Sequence, residues 1–151
     1  MSTRGKPTRD DYVAWRTATT RWRDDDAYGH LNNATYYELF DTAVNAHLYE
    51  ATGLDVRALP QIGVVAETSC RYFREIGFPD PIEMGMVVDK VGTSSVVYRI
   101  GLFQGSPEGG GAEAAAEGRF VHVYVDNTGS GRSVSPIPEQ IREVVVPLLR
   151  D

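Results

Sequence analysis

The chain has 151 residues, a length that suits one domain with a sizeable core and would be cramped for two. Hydrophobic residues make up 42% of the chain and charged residues 24%, proportions that are ordinary for a globular protein. The formal net charge is −6, and Lys and Arg do not cluster in the sequence, so the composition argues against a nucleic-acid partner.

The N-terminal residues 1–11 are polar, and we predict a flexible tail there, followed by one domain over 12–151. The sequence shows neither a secretory signal nor a run of about 20 apolar residues, so we expect a cytoplasmic protein that does not bind a membrane. Cys70 is the single cysteine, which excludes an internal disulfide and any metal motif built on a cysteine pair. Its place in an alternating pattern predicts a small core residue.

The first two predicted elements are a strand and a long helix. Residues 12–22 are rich in β-branched and aromatic side chains, which favours a strand. Residues 34–51 carry a single polar stripe at helical spacing, and most of their other side chains are apolar. We therefore expect this helix to be buried by a sheet on several sides and to end at Gly53. The polar stripe consists of Glu38, Asp41, Thr42 and Asn45.

The rest of the chain reads mainly as strands separated by turns. Four further strands are predicted at 64–74, 82–91, 95–104 and 113–125. Short loops connect most of them, which predicts an antiparallel sheet, and the long helix is the only large apolar element that can cover it. We thus predict an α+β fold, a five-stranded antiparallel sheet wrapped around one long central helix, with a short helix within 138–149. An uncovered sheet edge or face would favour dimerisation.

The most polar stretch, DDDAYGHLNN, occupies 24–33, between the first strand and the long helix. A turn in this position can hold a carboxylate on a rigid backbone beside the unpaired amides of a helix N-terminus. That arrangement suits chemistry at a carbonyl group. Turn formation and N-capping alone can account for some of the Asp and Asn residues, and this simpler interpretation stays open here.

Other interpretations of the acidic stretch fail at particular positions. A calcium loop that starts at Asp24 would place Tyr28 at a ligand position and Thr35 where a bidentate Glu is needed. An aspartyl nucleophile for phosphoryl transfer lacks a glycine-rich phosphate loop and a lysine after it. The glycines at 109–111 precede a predicted strand rather than a helix, which argues against a phosphate site there. We therefore predict neither a metal site nor a cofactor.

A family resemblance rests on the polar stretch. The residues that carry it are Asp24-x-Asp26-x-x-Gly29-His30-x-Asn32-Asn33-Ala34-x-Tyr36. This pattern resembles the signature of the hotdog-fold acyl-CoA thioesterases of the 4-hydroxybenzoyl-CoA thioesterase type. Segments similar to 72–79, 88–98 and 116–138 recur in the same order in that family, so the resemblance covers about 14–145.

The resemblance implies an acyl-CoA thioesterase, active as a homodimer or homotetramer with its active sites at the dimer interface. It implies that Asp26 is the catalytic carboxylate and that the first helix amides, near Asn33, polarise the thioester carbonyl. Asp26 acts either as a general base or as a nucleophile, and the residues leave both possibilities open. The resemblance further implies substrate binding by Gly29, His30, Asn32, Asn33 and Tyr36.

The sequence departs from the family pattern at three positions. Leu31 replaces the usual Val, Asp41 stands where Glu is common on the helix, and Asp25 adds an extra charge. An acyl-CoA-binding sensor domain and an acyl-carrier-protein thioesterase remain alternatives, while a hydratase of related fold would need a separate acid–base pair. We interpret His47 and His122, which lie in apolar surroundings of the sequence, as core or interface residues.

Overall fold

The computed structural model describes residues 5–150, which form one five-stranded antiparallel sheet and one long helix. The strand order is β1-β3-β4-β5-β2, so β1 and β2 are the two edges. This architecture confirms the predicted sheet and helix, and a short second helix is also present. The strands are β1 (Ala14–Ala18), β2 (Gln61–Tyr72), β3 (Ile82–Val91), β4 (Ser95–Phe103) and β5 (Ala116–Asp126); the helices are α1 (Asn33–Thr52) and α2 (Glu139–Val145).

Helix α1 has clear signals at both ends. The Asn32 side chain accepts a hydrogen bond from the Ala34 N–H at 2.9 Å, which caps the N-terminus. Gly53 ends the helix in the left-handed conformation, at a φ of 70°. The buried side chains recur at helical spacing on the face that lies on the sheet. They are Thr35, Tyr36, Phe40, Ala43, Val44 and Leu48.

The position of α1 on the sheet depends on a glycine in β5. The Phe40 ring occupies the space that a β-carbon on Gly118 would fill, so helix and strand approach closely at this point. We expect Gly118→Ala to overpack the contact and to lower the free energy of unfolding by about 1–3 kcal/mol. Urea denaturation measures this change. Gly129→Ala is a suitable control, because no atom of the other described residues beyond its chain neighbours lies within 4 Å of a β-carbon placed there. An equal loss in both variants would contradict the packing argument.

Strand β1 is shorter than the strand predicted over 12–22, partly because Tyr12 packs on the outer face of the sheet, opposite α1. Tyr12 leaves the strand and packs its ring over Gly85 and Gly101, where the absence of side chains makes room. Its hydroxyl donates a hydrogen bond to Glu117 Oε2 at 2.5 Å. After Ala18 the chain leaves the sheet, and a short 3₁₀ helix forms at Trp22–Asp24.

Part of the stretch predicted as a flexible tail contacts the sheet. The Pro7 carbonyl accepts a hydrogen bond from the Ala114 N–H at 2.8 Å, Thr8 forms a β-bridge with Glu113, and Arg9 Nη2 lies 2.6 Å from Glu83 Oε1. These backbone and ionic contacts, which composition does not reveal, hold this stretch against the domain. Residues 1–4 of the predicted tail lie outside the described residues.

Among residues 5–150, the long edge strand β2 pairs only with β5. A β-bulge interrupts its register between Val65 and Glu67, and the Val65 side chain is exposed. Further along, Cys70 lies on the α1 side of the sheet and packs against the core, as its alternation predicts. Burial raises the pKa of its thiol to about 11. In the part of the chain that the structure describes, no helix is long and apolar enough to cross a membrane.

Candidate active site

The three consecutive acids before α1 have three different environments, and Asp24 is the most buried of them. Asp24 is only 5% exposed, and its carboxylate accepts hydrogen bonds from the Arg21 backbone N–H at 2.7 Å and from Arg21 Nη2 at 2.8 Å. Burial acts to raise the pKa of Asp24, but the bonds and the charge of Arg21 outweigh it, so the pKa is lowered. Asp24 therefore fixes the turn as a paired carboxylate.

Asp25 ties the same turn to the segment that follows β2. Its carboxylate accepts a hydrogen bond from the Phe78 N–H at 3.1 Å. Beside it, the Leu31 N–H donates to the Ile76 carbonyl at 2.7 Å, and Asp25 forms an isolated β-bridge with Leu31. Hydrogen bonds thus fix the turn at Asp25 and at Leu31, and residues between these two positions face a cavity.

Asp26 is the acid that lines this cavity. Its Oδ1 accepts hydrogen bonds from the backbone N–H groups of Tyr28 at 2.8 Å and His30 at 3.3 Å. Within residues 5–150 no group donates a hydrogen bond to Oδ2. The carboxylate is therefore held in one orientation through one oxygen, while the other is available to a ligand.

The cavity lies where the N-terminus of α1 meets the end of β2, and its volume is about 870 Å³. Such a volume lies within the range of about 300–1,000 Å³ that is common for small-molecule sites. The cavity combines carboxylates, an imidazole, a guanidinium and aromatic rings. Its lining residues are Asp26, Tyr28, His30, Leu31, Asn33, Tyr36, Tyr72, Phe73, Arg74 and Glu75.

Four of the predicted site residues line the cavity, namely Asp26, His30, Asn33 and Tyr36. The other two lie next to it and shape the backbone. Gly29 adopts a φ of 80° in the turn, a conformation that favours glycine, and the Asn32 side chain is used as the cap of α1. Their contribution to substrate binding stays a prediction.

The first turn of α1 offers a backbone donor at the cavity. Asn32 accepts hydrogen bonds from the Ala34 N–H through its side chain and from the Thr35 N–H through its carbonyl. The residue between Asn32 and Ala34 is Asn33, and its N–H donates to no acceptor among the residues that the structure describes. An unpaired amide at the positive end of a helix dipole is a suitable partner for a carbonyl oxygen that gains negative charge.

Two tyrosines support this helix terminus. The Tyr72 hydroxyl donates to Asn33 Oδ1, and the Tyr72 and Tyr36 rings meet edge to face with centroids 5.0 Å apart. Burial, followed by the nearby negative charges, raises the pKa of Tyr36 to about 12, and burial also raises the pKa of Tyr72. Both hydroxyls therefore remain protonated at neutral pH and can act as donors.

Sequence reasoning did not assign the segment 72–75 to the site. This segment continues β2 and reaches the turn only because β2 runs along β5 to the N-terminal end of α1. The single available signal was the alternation in β2, which places Tyr72 on the same side of the sheet as Cys70 and α1. In the site itself, Glu75 Oε2 lies 2.5 Å from His30 Nδ1, and Arg74 Nη2 donates to the Gln104 carbonyl at 2.5 Å.

The other two histidines lie away from the cavity. His122 is 2% exposed and packs among aromatic rings on β4 and β5, and burial lowers its pKa to about 4. His47 is half-buried on α1, and burial, with a contribution from Arg16, lowers its pKa as well. Neither residue is placed to take part in chemistry at Asp26.

Comparison with solved structures shows close overall similarity to one bacterial protein. The PA5185 protein of Pseudomonas aeruginosa shares 44% sequence identity, with 97% of this chain and 99% of that chain covered and a TM-score of 0.88. A search of the curated proteins finds no match to the sequence.

Two distant structures share the fold. A 1,4-dihydroxy-2-naphthoyl-CoA thioesterase from Synechocystis is 12% identical, with coverage of 89% of this chain and 96% of that chain and a TM-score of 0.77. A 4-hydroxybenzoyl-CoA thioesterase mutant, in complex with 4-hydroxybenzoyl-CoA, is 15% identical, with coverage of 87% and 97% and a TM-score of 0.75.

The sequence matches the family model described as the thioesterase-like superfamily over residues 20–145. This range contains the polar turn, α1 and the four strands β2 to β5. The match confirms the resemblance that the motif at 24–36 predicts. The chain therefore belongs to the thioesterase-like superfamily of hotdog-fold thioester hydrolases.

Proposed function

We propose that the protein hydrolyses an acyl-CoA to a free carboxylic acid and CoA in the cavity at the N-terminus of α1. One observation carries this proposal. The fixed carboxylate of Asp26 and the residue with the unpaired amide, Asn33, line the same cavity. A carboxylate and an amide donor are the two groups that attack on a thioester carbonyl requires.

In this reaction the Asn33 N–H binds the carbonyl oxygen of the thioester as negative charge develops on it. Asp26 either accepts a proton from the attacking water or attacks the carbonyl carbon itself to give an anhydride that water then opens. In both routes the C–S bond breaks and CoA leaves as a thiolate. With a thiol pKa of about 8.5, on the cysteine reference value, this departure needs little help from an acid.

The choice of CoA as the thiol rests on two supports. Distant relatives of the same fold act on 4-hydroxybenzoyl-CoA and 1,4-dihydroxy-2-naphthoyl-CoA. In addition, three arginines, the type of residue that attracts an acidic carrier protein, are paired within the chain: Arg71 and Arg99 with Glu117, and Arg119 with Glu67. Pairing lowers the attraction of this surface for an acidic carrier, which favours free acyl-CoA.

A panel of acyl-CoA thioesters with aromatic and aliphatic acyl groups, together with an acyl-carrier-protein thioester, tests the proposal. A thiol-trapping dye reports the released CoA. We expect release above the solvent background from at least one acyl-CoA. Release from the carrier protein alone would replace CoA by the carrier as the substrate, and no release across the panel would refute the proposed activity.

We also propose that the protein assembles as a homodimer or homotetramer through the free edge of β2. This edge is long, and an unpaired strand edge is a template for pairing with another chain. The cavity lies at the end of β2, so a second copy paired there would adjoin Asp26 and Tyr72.

Sedimentation equilibrium measures this assembly. We expect a mass of two or four times the 16.7 kDa of the chain. A lysine on the edge strand opposes edge pairing, so Val65→Lys should shift the protein toward monomer. Val134→Lys, at an exposed position outside β2, is the matched control. A monomeric wild-type protein would contradict the proposal.

A further inference from the structure

We infer that Glu75 is a positioning residue for catalysis: it holds His30 in the orientation and tautomer in which the imidazole binds the attacking water. This inference rests on the proposed thioester hydrolysis. The observation that carries it is the contact of 2.5 Å between Glu75 Oε2 and His30 Nδ1 inside the cavity of Asp26. The motif contains His30 but gives no indication of its partner, which lies 45 residues further along the chain.

The contact decides which nitrogen of the imidazole carries the proton. A carboxylate accepts hydrogen bonds and does not donate them, so we assign the proton to the Nδ1 of His30, which lies against Glu75 Oε2. In the neutral ring Nε2 then has a free lone pair. Without Glu75 the ring would exchange between tautomers and rotamers, and only a fraction of the molecules would present an acceptor in the cavity.

The backbone on both sides of Glu75 is fixed, since the Arg74 N–H before it donates to the Ala115 carbonyl at 3.1 Å and the two residues after it are also hydrogen-bonded. The Ile76 carbonyl accepts from the Leu31 N–H at 2.7 Å, and Gln104 accepts from the Gly77 N–H at 3.2 Å and donates to the Gly77 carbonyl at 2.8 Å. On the other side of the pair, the His30 N–H donates to Asp26 Oδ1 at 3.3 Å. A side-chain contact of 2.5 Å and a backbone hydrogen bond of 3.3 Å thus connect Glu75, His30 and Asp26.

Because Asp26 and His30 line the same cavity, we infer that one water molecule there has two acceptors. One proton of the water points to Asp26 and the other to Nε2 of His30, which directs a lone pair of the oxygen to the thioester carbon. When the C–O bond forms, Asp26 takes one proton, the carbonyl electrons move to the oxygen near Asn33, and the C–S bond then breaks. If Asp26 is the nucleophile, its carboxylate carries the acyl group, so Nε2 of His30 alone holds the water that opens the anhydride. Nε2 takes one proton of this water as the new C–O bond forms, and Asp26 leaves as the free carboxylate.

The first test is a double-mutant cycle on kcat with the best acyl-CoA of the panel. Glu75→Ala and His30→Gln should each lower kcat by about tenfold, the value of one well-placed hydrogen bond, with a smaller effect on KM. If Glu75 acts through His30, the double variant should be no slower than His30→Gln alone. A further tenfold loss in the double variant would overturn the inference.

The second test reads the tautomer directly and does not depend on turnover. In protein labelled with ¹⁵N at the imidazole nitrogens, His30 should show a protonated Nδ1 and an unprotonated Nε2, and the spectrum of His30→Gln assigns its signals. Glu75→Ala should remove this preference, and Glu75→Asp should restore part of it. An unchanged His30 spectrum in Glu75→Ala, or a changed spectrum with an unchanged kcat, would overturn the inference.

These tests separate the inference from the proposed function. If the wild-type protein releases no CoA from any thioester, the hydrolytic proposal fails, whatever the tautomer of His30. If turnover is present but the cycle is additive, only the role of Glu75 fails. Since the Glu75 side chain is 70% exposed, its replacement should leave the melting temperature near that of the control Glu143→Ala, whose position on α2 is also exposed.

Discussion

Asp26→Asn is expected to lower kcat for thioester hydrolysis by about 10²–10⁴-fold, the range that a positioned general base contributes. Asparagine keeps an oxygen that can accept the Tyr28 and His30 backbone bonds at Oδ1, so the turn should keep its shape. The amide lacks the negative charge that activates water or attacks the carbonyl. The effect should therefore appear in kcat, while KM changes little.

Circular dichroism and thermal melting show whether the Asp26→Asn variant folds as the wild type does. Glu139→Gln, which neutralises an exposed carboxylate on α2, controls for the loss of one negative charge. Wild-type turnover by a folded Asp26→Asn protein would remove Asp26 from the mechanism. Rapid quenching followed by mass spectrometry distinguishes the two routes, because only a nucleophilic Asp26 gives a peptide that carries the acyl group.

His122 should make the stability of the protein depend on pH in the mildly acidic range. Burial lowers the pKa of His122 to about 4 in the folded protein, whereas the unfolded chain has the ordinary value of about 6.5. Between these two values the unfolded state binds a proton that the folded state does not, so stability falls as the pH falls. The full difference corresponds to about 3 kcal/mol, lost progressively from about pH 6.5 down to pH 4.

His122→Phe and His122→Leu should remove most of this dependence, because neither side chain titrates. Urea denaturation at a series of pH values from about 7.5 to 4 measures the slope of the free energy of unfolding in each protein. A smaller slope should remain from His47, whose pKa is also lowered. Equal slopes in the wild type and both variants would show that His122 is not buried as a neutral residue.

The elements that sequence predicted best have strong local signals at their ends. The helix predicted over 34–51 is Asn33–Thr52 in the structure, because Asn32 caps one end and Gly53 stops the other. The third strand, predicted over 82–91, has the same limits in the structure. The first strand was predicted too long, since Tyr12 has a strand-forming side chain but packs on glycines more than 70 residues away.

The choice of Asp26 among three adjacent acids came from the family pattern, because composition and spacing treat the three alike. The structure adds the physical difference: the Asp24 carboxylate accepts a hydrogen bond from the Arg21 side chain, and the Asp25 carboxylate accepts one from the Phe78 N–H. The contribution of Glu75 was beyond sequence reasoning. Its contact with His30 depends on the register of β2 against β5, which no local pattern specifies.

The burial of Cys70 has a practical consequence for the assay of released CoA. With a pKa of about 11, its thiol is almost entirely protonated near neutral pH. The reactive species toward a thiol-trapping dye is the thiolate, which at about pH 8 amounts to roughly one molecule in a thousand for such a group. Cys70 is the single cysteine of the chain. The folded protein should therefore contribute almost no background signal from the dye. A rise of this background during an assay would report unfolding of the protein.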